Sequence, residues 1–158
     1  ESYPHLMVMK SISKSYGVPG LRLGVFASSD KALIARIRKE VSIWNINSFA
    51  EFYLQIYGKY ENDYKRACEK FIAERETFYE ELKSIPYLRV FPSKANYFMC
   101  EVIDKYTSAE LTQRLIDNDV LISNCGLKRN MSGRQLIRLA VRSREDNSRL
   151  VNILKALA

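Results

Sequence analysis

The stretch "SISKSYGVPGLRLG", residues 11–24, carries the strongest signal for the fold of this chain. It sets one lysine among serines and glycines. The apolar runs "HLMVM" at 5–9 and "LRLGVFA" at 21–27 have the length and composition of short buried strands. Two glycines and a proline follow the lysine and are typical of a turn rather than of a helix. We therefore predict that Lys14 is presented from a non-helical loop between two buried strands.

The polar residues of this loop suit a ligand that carries both an aldehyde and a phosphate. A lysine amine is a nucleophile that forms Schiff bases with aldehydes. Ser11 and Ser13 have hydroxyls that can donate to a phosphate, and Arg22 has a planar guanidinium that binds phosphate oxygens in pairs. The glycines permit backbone angles that are closed to other residues, so the loop can fold back until Lys14 and Arg22 face one ligand.

The same stretch resembles the pyridoxal-phosphate attachment motif of the class I and II aminotransferases, which are enzymes of fold type I. In that motif S/T-x-S-K is followed by a glycine-bearing turn and by an arginine eight residues after the lysine, as here. The resemblance implies that Lys14 forms a Schiff base with pyridoxal 5'-phosphate and then moves a proton at the substrate α-carbon. It also implies that Ser11, Ser13 and Arg22 hold the cofactor phosphate.

A second stretch, "QLIRLAVRSREDNSRLVNIL" at 135–154, resembles the carboxyl-terminal strand and acid-capped helix of the same family. The resemblance assigns Arg138 to the substrate α-carboxylate, and a bidentate pair of this kind would fix the orientation of an amino acid. A plain surface role for Arg138 remains the alternative. Arg142, further along the strand, is expected to be structural or solvated.

Within the family, the loop "ISNCGLKRNMSG" at 122–133 most resembles the branch of histidinol-phosphate aminotransferase and threonine-phosphate decarboxylase. Members of that branch often carry an arginine where this chain has Ser123. The resemblance implies an amino-group transfer between an amino acid and a 2-oxo acid. A decarboxylase of the same branch is one alternative, and a non-catalytic basic interaction domain that uses the cluster at 128–149 is another.

The resemblance implies an α/β fold, namely the carboxyl-terminal end of the aminotransferase large domain plus a small α+β domain. In the small domain, helices would pack on a small, mostly antiparallel sheet. We expect residues 1–47 to end the large domain, 48–84 to form a helical connection and 85–158 to form the small domain. The family's ring-binding residues precede the lysine motif, so we expect a carboxyl-terminal portion that is inactive by itself.

Apolar residues at helical spacing predict several helices, and capping residues mark where they begin. One helix opens after Asp30, another runs from Ser48 to Tyr57 and ends at Gly58, and a longer amphipathic helix continues to Pro86. The remaining signals are two capping sites and four strand-like runs: Thr107 with Glu110, Ser143, "YLRVF" (87–91), "NYFMCEV" (96–102), "DVLIS" (119–123) and "QLIRLAV" (135–141).

Composition narrows the possible partners. The chain has 158 residues, 47% of them hydrophobic, which is enough for a packed core. Three widely spaced cysteines and one histidine favour reduced thiols and no metal site. The net charge of +7 is spread along the chain, which argues against nucleic acid. We expect a cytoplasmic protein that contacts no membrane and binds small-molecule substrates. The resemblance implies a homodimer with a role in biosynthesis.

Overall fold

The computed structural model describes residues 3, 5–126, 128–129, 131 and 133–158. The chain divides into a first unit, residues 1–67, and a second unit, residues 68–158. The first unit contains a two-stranded sheet and the second a four-stranded sheet. The chain is thus of the mixed α/β class with small antiparallel sheets, as the sequence predicted.

The first unit begins with a β-hairpin that carries the lysine motif. Strand β1 (Met7–Ser11) pairs antiparallel with β2 (Gly24–Ser28), so that Ser11 lies opposite Gly24. Between the strands lie the helix α1 (Ile12–Ser15) and a 3-10 turn (Pro19–Leu21). The hairpin was expected, and its strands start two to three residues later than the sequence suggested.

Two predictions about this hairpin were wrong. Lys14 lies in a four-residue helix rather than in a non-helical loop, because hydrogen bonds from both sides of the turn stabilise α1. The strands are not buried, since all five residues of β1 are exposed. A two-stranded sheet has few neighbours in the described chain that could cover its faces.

The helices of the first unit begin where the sequence predicted. Helix α2 (Lys31–Glu40) is capped by Asp30, whose Oδ1 accepts a hydrogen bond from the Leu33 amide at 2.9 Å. Helix α3 (Ser48–Lys83) begins at the predicted residue but runs for 36 residues without a break at Gly58. A glycine costs a helix about 1 kcal/mol, and the helix-forming residues on both sides outweigh that cost.

Replacing Gly58 by alanine should stabilise the chain by about 0.5–1 kcal/mol, because alanine loses less backbone entropy in a helix. A Cβ at this position meets no atom within 4 Å, so the substitution adds no clash. Urea denaturation followed by circular dichroism measures the change. Gly17→Ala is the matched control, because Gly17 has φ of +69° and alanine would be strained there. A lower stability of Gly58→Ala would mean that the glycine has another role.

The second unit is a sheet with helices packed on one face. Its strands β3 (Leu88–Val90), β4 (Tyr97–Val102), β5 (Ser123–Asn124) and β6 (Leu136–Ala140) pair antiparallel in the order β3-β4-β6-β5. The sheet, the end of α3 and the helices α4 (Ser108–Ile116) and α5 (Arg144–Ala156) share one core. Its most deeply buried side chains include Phe78, Leu82, Ile85, Phe98, Cys100, Leu111, Leu115, Ile137, Leu139 and Leu154.

The caps of this unit agree with the sequence, whereas one strand does not. Thr107 and Glu110 form the predicted capping box, and Ser143 accepts a hydrogen bond from the Asp146 amide at 3.2 Å. The run "DVLIS" is a strand only from Ser123 onwards. Its first residues belong to the turn that ends α4, where Asp119 has φ of 59°.

Candidate functional site

Ser13 closes the turn that carries Lys14. Its buried hydroxyl donates to the Leu23 carbonyl at 3.1 Å and accepts from the Leu23 amide at 2.7 Å. The amides of Ile12 and Ser13 also donate to that carbonyl, at 3.1 and 3.2 Å. These bonds join the residues directly before Lys14 and directly after Arg22. The Ser13 hydroxyl donates its proton to the Leu23 carbonyl in this structure. A contact between Ser13 and a cofactor phosphate stays a prediction.

Arg22 has a backbone conformation that non-glycine residues rarely adopt. Its φ of 56° and ψ of 37° lie in the left-handed region, at a cost of about 1–2 kcal/mol. Such strain concentrates at functional sites. Its side chain is exposed, and within the described residues its guanidinium has no hydrogen bond or salt bridge. The turn therefore tolerates a strained arginine and leaves its charge available for an anion.

The other two polar residues of the motif lie in the same turn. Ser11 ends β1, its side chain is exposed, and its carbonyl accepts from the Ser15 hydroxyl at 3.3 Å. Lys14 is exposed, and its ammonium contacts no hydrogen-bond or salt-bridge partner in the part of the chain that the structure describes. Ser11, Lys14 and Arg22 thus belong to one short turn at the end of the hairpin.

Two residues that hold this turn were missed by sequence reasoning. Asn47 accepts from the Ala50 amide at the start of α3 and donates from Nδ2 to the Leu21 carbonyl, both at 3.0 Å. Tyr64 donates its hydroxyl to the Ser15 carbonyl at 2.8 Å. An asparagine just before a helix is a common cap, so Asn47 could have been recognised, but its bond to Leu21 is visible only in the structure.

Arg138 lies on the face of the second unit's sheet that is opposite the core. It is exposed on β6, directly across from Ser123 on β5 and Met99 on β4. Its guanidinium carbon lies 5.3 Å from the centre of the Tyr97 ring, a cation-π distance. Arg138 has no salt bridge within the described residues. This leaves its hydrogen-bonding edge open for an anion.

Arg142 is exposed and paired with an acid, and the sequence had left a structural and a solvated role open. Its Nε donates to Asp146 Oδ2 at 2.9 Å, and this bond holds the pKa of Asp146 below its ordinary value. Arg138, Arg142 and Arg149 line one groove of about 700 Å³ together with Ser123. Asp119 and Asp146 line the same groove, Arg142 is already paired, and Arg149 donates to the Asn118 carbonyl at 3.0 Å. Arg138 is therefore the arginine of this groove whose guanidinium has no hydrogen bond within the described residues.

Residues 3, 5–126, 128–129, 131 and 133–158 contain neither a membrane-spanning helix nor a cluster of metal ligands. None of their helices is long and apolar enough to cross a membrane. None of their histidines, cysteines and acids form a group of three that could hold a metal ion.

A family model described as "Aminotransferase class I and II" matches residues 1–154. The threonine-phosphate decarboxylase of Salmonella typhimurium is 33% identical over 155 residues, which cover 96% of this chain and 41% of that protein. A decarboxylase structure from Sulfurospirillum multivorans superimposes with a TM-score of 0.86 at 28% identity, over 98% of this chain and 44% of that one. The histidinol-phosphate aminotransferase structure from Clostridium acetobutylicum has a TM-score of 0.84 at 28% identity, over 98% and 46%. The chain spans less than half the length of each of these proteins.

Proposed function

The chain belongs to the class I and II aminotransferase family, and we propose on that premise that it is part of an enzyme that removes the α-carboxyl group of a phosphorylated amino acid. Members of the family depend on pyridoxal phosphate. The observation that carries the proposal is the turn of Ser11, Lys14 and Arg22, whose two cationic groups have no hydrogen bond or salt bridge to a described residue. Similarity to the sequence of a threonine-phosphate decarboxylase and to the structure of another decarboxylase supports the choice of reaction.

The turn fits the cofactor by the chemistry of its donors. Lys14 would hold the cofactor covalently through Nζ, and Ser11 and Arg22 would bind its phosphate. Ser13 would keep the turn closed through Leu23. When bound, pyridoxal phosphate supplies a conjugated ring that draws electrons from the substrate α-carbon. Lys14 would then carry a proton to or from that carbon, the general acid and base work suited to an amine.

Arg138 would bind the α-carboxylate, and Tyr97 would limit the directions in which its guanidinium can point. The orientation of the bound amino acid selects which bond at the α-carbon is broken. Because Ser123 stands where an arginine is common in this branch, the substrate phosphate would be met by other cations. Arg149 lines the same groove as Arg138 and supports that assignment.

Amino-group transfer to a 2-oxo acid is the second candidate. The specific observation in its favour is the similarity to the histidinol-phosphate aminotransferase structure of Clostridium acetobutylicum. The same residues would serve both reactions, and the difference would lie in the angle at which Arg138 holds the carboxylate.

Five other predictions from the sequence belong to the proposal. We call the longer protein of which this chain would be a part the parent protein. The parent protein would act as a cytoplasmic homodimer in biosynthesis, and this chain alone would be inactive. Exposed apolar side chains in the first unit, with Ile43 at 91% and Trp44 at 88% exposure, support a further surface that covers them. The boundaries 1–47, 48–84 and 85–158 remain the proposed division into domains.

The test uses the full-length parent protein with O-phosphothreonine and O-phosphoserine, in the presence and absence of 2-oxoglutarate. Release of carbon dioxide without an oxo acid would support decarboxylation. Formation of glutamate that depends on 2-oxoglutarate would support transfer instead. The interaction domain would be favoured if neither product forms from phosphorylated or unphosphorylated amino acids and if the chain binds an acidic partner. That binding should weaken steeply with added salt.

Replacing Arg138 by glutamine should raise KM of the parent roughly 10–100-fold, because a hydrogen bond to a charged group contributes about 1.5–3 kcal/mol. Steady-state kinetics with the substrate found above measures the change. Arg142→Gln is the matched control, since Arg142 is paired with Asp146 and its loss should leave KM within about two-fold. Equal KM values for the two variants would remove Arg138 from the site.

A further inference from the structure

We propose that Tyr64 is a positioning residue that fixes the turn of Lys14. Its hydroxyl donates to the Ser15 carbonyl, the residue directly after Lys14, at 2.8 Å. Tyr64 lies on α3, 49 residues away along the chain, so this bond ties the lysine helix to the long helix of the first unit. The inference rests on the proposed role of Lys14 as the cofactor's attachment point.

Helix α1 needs support from outside. It has four residues, whereas isolated helices much shorter than about 12–15 residues are marginal in water. Its amino-terminal side is held through Ser13 and Leu23, but Ser11 gives it no side-chain cap. At its carboxyl end the carbonyls have few partners within the helix. The bond from Tyr64 is the shortest there, against 3.0 Å from the Tyr16 amide to Ile12 and 3.4 Å from the Gly17 amide to Lys14.

A tyrosine cluster of Tyr16, Tyr53, Tyr57 and Tyr64 strengthens this tie. Tyr16 follows α1, and its ring centre lies 4.8 Å from that of Tyr64 and 5.0 Å from that of Tyr57. Tyr53 extends the cluster along the same helix, 6.1 Å from Tyr57. Three rings from α3 thus lie in one group with the residue that ends α1.

Burial raises the pKa of Tyr53 above its ordinary value. Burial, a hydrogen bond with Tyr16 and nearby charge raise the pKa of Tyr57 to about 12. The cluster also contacts a second lysine, because the Lys10 ammonium lies 5.7 Å from the centre of the Tyr16 ring.

The support from Tyr64 matters for reactivity, because the rate depends on the distance between Lys14 Nζ and the atoms with which it reacts. A misplacement of about 1 Å can cost a catalytic group roughly 100-fold in rate. If the carboxyl end of α1 frays, the Lys14 backbone moves with it. Tyr64 would act on Lys14 through Ser15, without touching substrate or cofactor.

The test compares Tyr64→Phe, which removes only the hydroxyl, with Tyr60→Phe on the same helix, where the ring is 48% exposed. Two quantities are measured on the whole chain: hydrogen exchange at the Tyr16 and Gly17 amides, and borohydride-trapped labelling by pyridoxal phosphate at Lys14 relative to Lys10. We expect Tyr64→Phe to speed the exchange at least five-fold and to lower the labelling ratio at least three-fold. Tyr60→Phe should change neither, and both variants should melt within about 2 °C of the unaltered chain.

Unchanged exchange and labelling in Tyr64→Phe would overturn the inference. If the unaltered chain does not label Lys14 selectively, the proposed cofactor site fails, but the exchange rates still decide whether Tyr64 holds the turn. If Tyr64→Phe melts far below the unaltered chain, Tyr16→Leu is the second variant. It keeps the Tyr64 hydroxyl and removes the ring contacts, so exchange at the Gly17 amide as in the unaltered chain would support the role of the hydroxyl. Exchange at least five-fold faster would assign the support to the rings and overturn the inference.

Discussion

Replacing Lys14 by alanine should abolish site-specific attachment of pyridoxal phosphate. Lys14 is exposed in the motif turn, and its ammonium has no hydrogen bond or salt bridge to any residue that the structure describes. In the full-length parent, activity should fall on the order of 10²–10⁴-fold from lost proton transfer alone. The loss should be larger if covalent attachment is also required.

The measurement is incubation with pyridoxal phosphate, reduction with borohydride and mapping of the labelled peptide by mass spectrometry. Lys10→Ala is the matched control, because Lys10 lies four residues earlier in the same hairpin and is also exposed. It should leave the label on Lys14 unchanged. Label scattered over many lysines and unaltered by Lys14→Ala would mean that this chain does not assemble the site by itself.

Replacing Arg22 by glycine should have two opposite effects. Glycine adopts the left-handed conformation of Arg22 without the steric cost of about 1–2 kcal/mol. Glycine also has more entropy in the unfolded chain, which offsets part of this gain. We therefore expect a net stabilisation of about 0.5–1 kcal/mol. Affinity for pyridoxal phosphate should nevertheless fall roughly 10–100-fold, because hydrogen bonds to a charged group contribute about 1.5–3 kcal/mol.

Comparing the binding of pyridoxal phosphate with that of pyridoxal, which lacks the phosphate, separates the loss of a phosphate contact from the change in stability. If Arg22 binds the phosphate, the preference for pyridoxal phosphate over pyridoxal should shrink in Arg22→Gly, while binding of pyridoxal itself stays close to that of the unaltered chain. Arg22→Lys keeps a charge but loses the planar fork, so it should bind with intermediate affinity. An unchanged preference in Arg22→Gly would assign the strained arginine to another role.

Local signals explain the parts of the fold that the sequence determined. The Asp30 cap, the capping box at Thr107 and the cap at Ser143 each depend on residues within three positions of one another. The hairpin and three of the four strands of the second sheet follow from short apolar runs between turns, whereas β5 consists of two polar residues. The family likewise followed from one motif whose residues are close in sequence.

Long-range contacts explain where sequence reasoning failed. Gly58 does not end α3, since helix formation is cooperative over the whole segment. Lys14 lies in a helix because Ser13 bonds to Leu23, ten residues away, and Ser15 accepts from Tyr64. No local pattern in "SISKSYG" contains those partners.

The sequence by itself determined which chemical groups the turn contains, namely its lysine, its serines and its arginine, and at what spacing they stand. Only the tertiary structure decided the geometry, namely the helical turn at Lys14, the left-handed backbone of Arg22 and the Tyr97 ring beside Arg138. Spacing along the chain records which groups are available. Their placement depends on hydrogen bonds and ring contacts between residues far apart in sequence, and these form only when the chain folds.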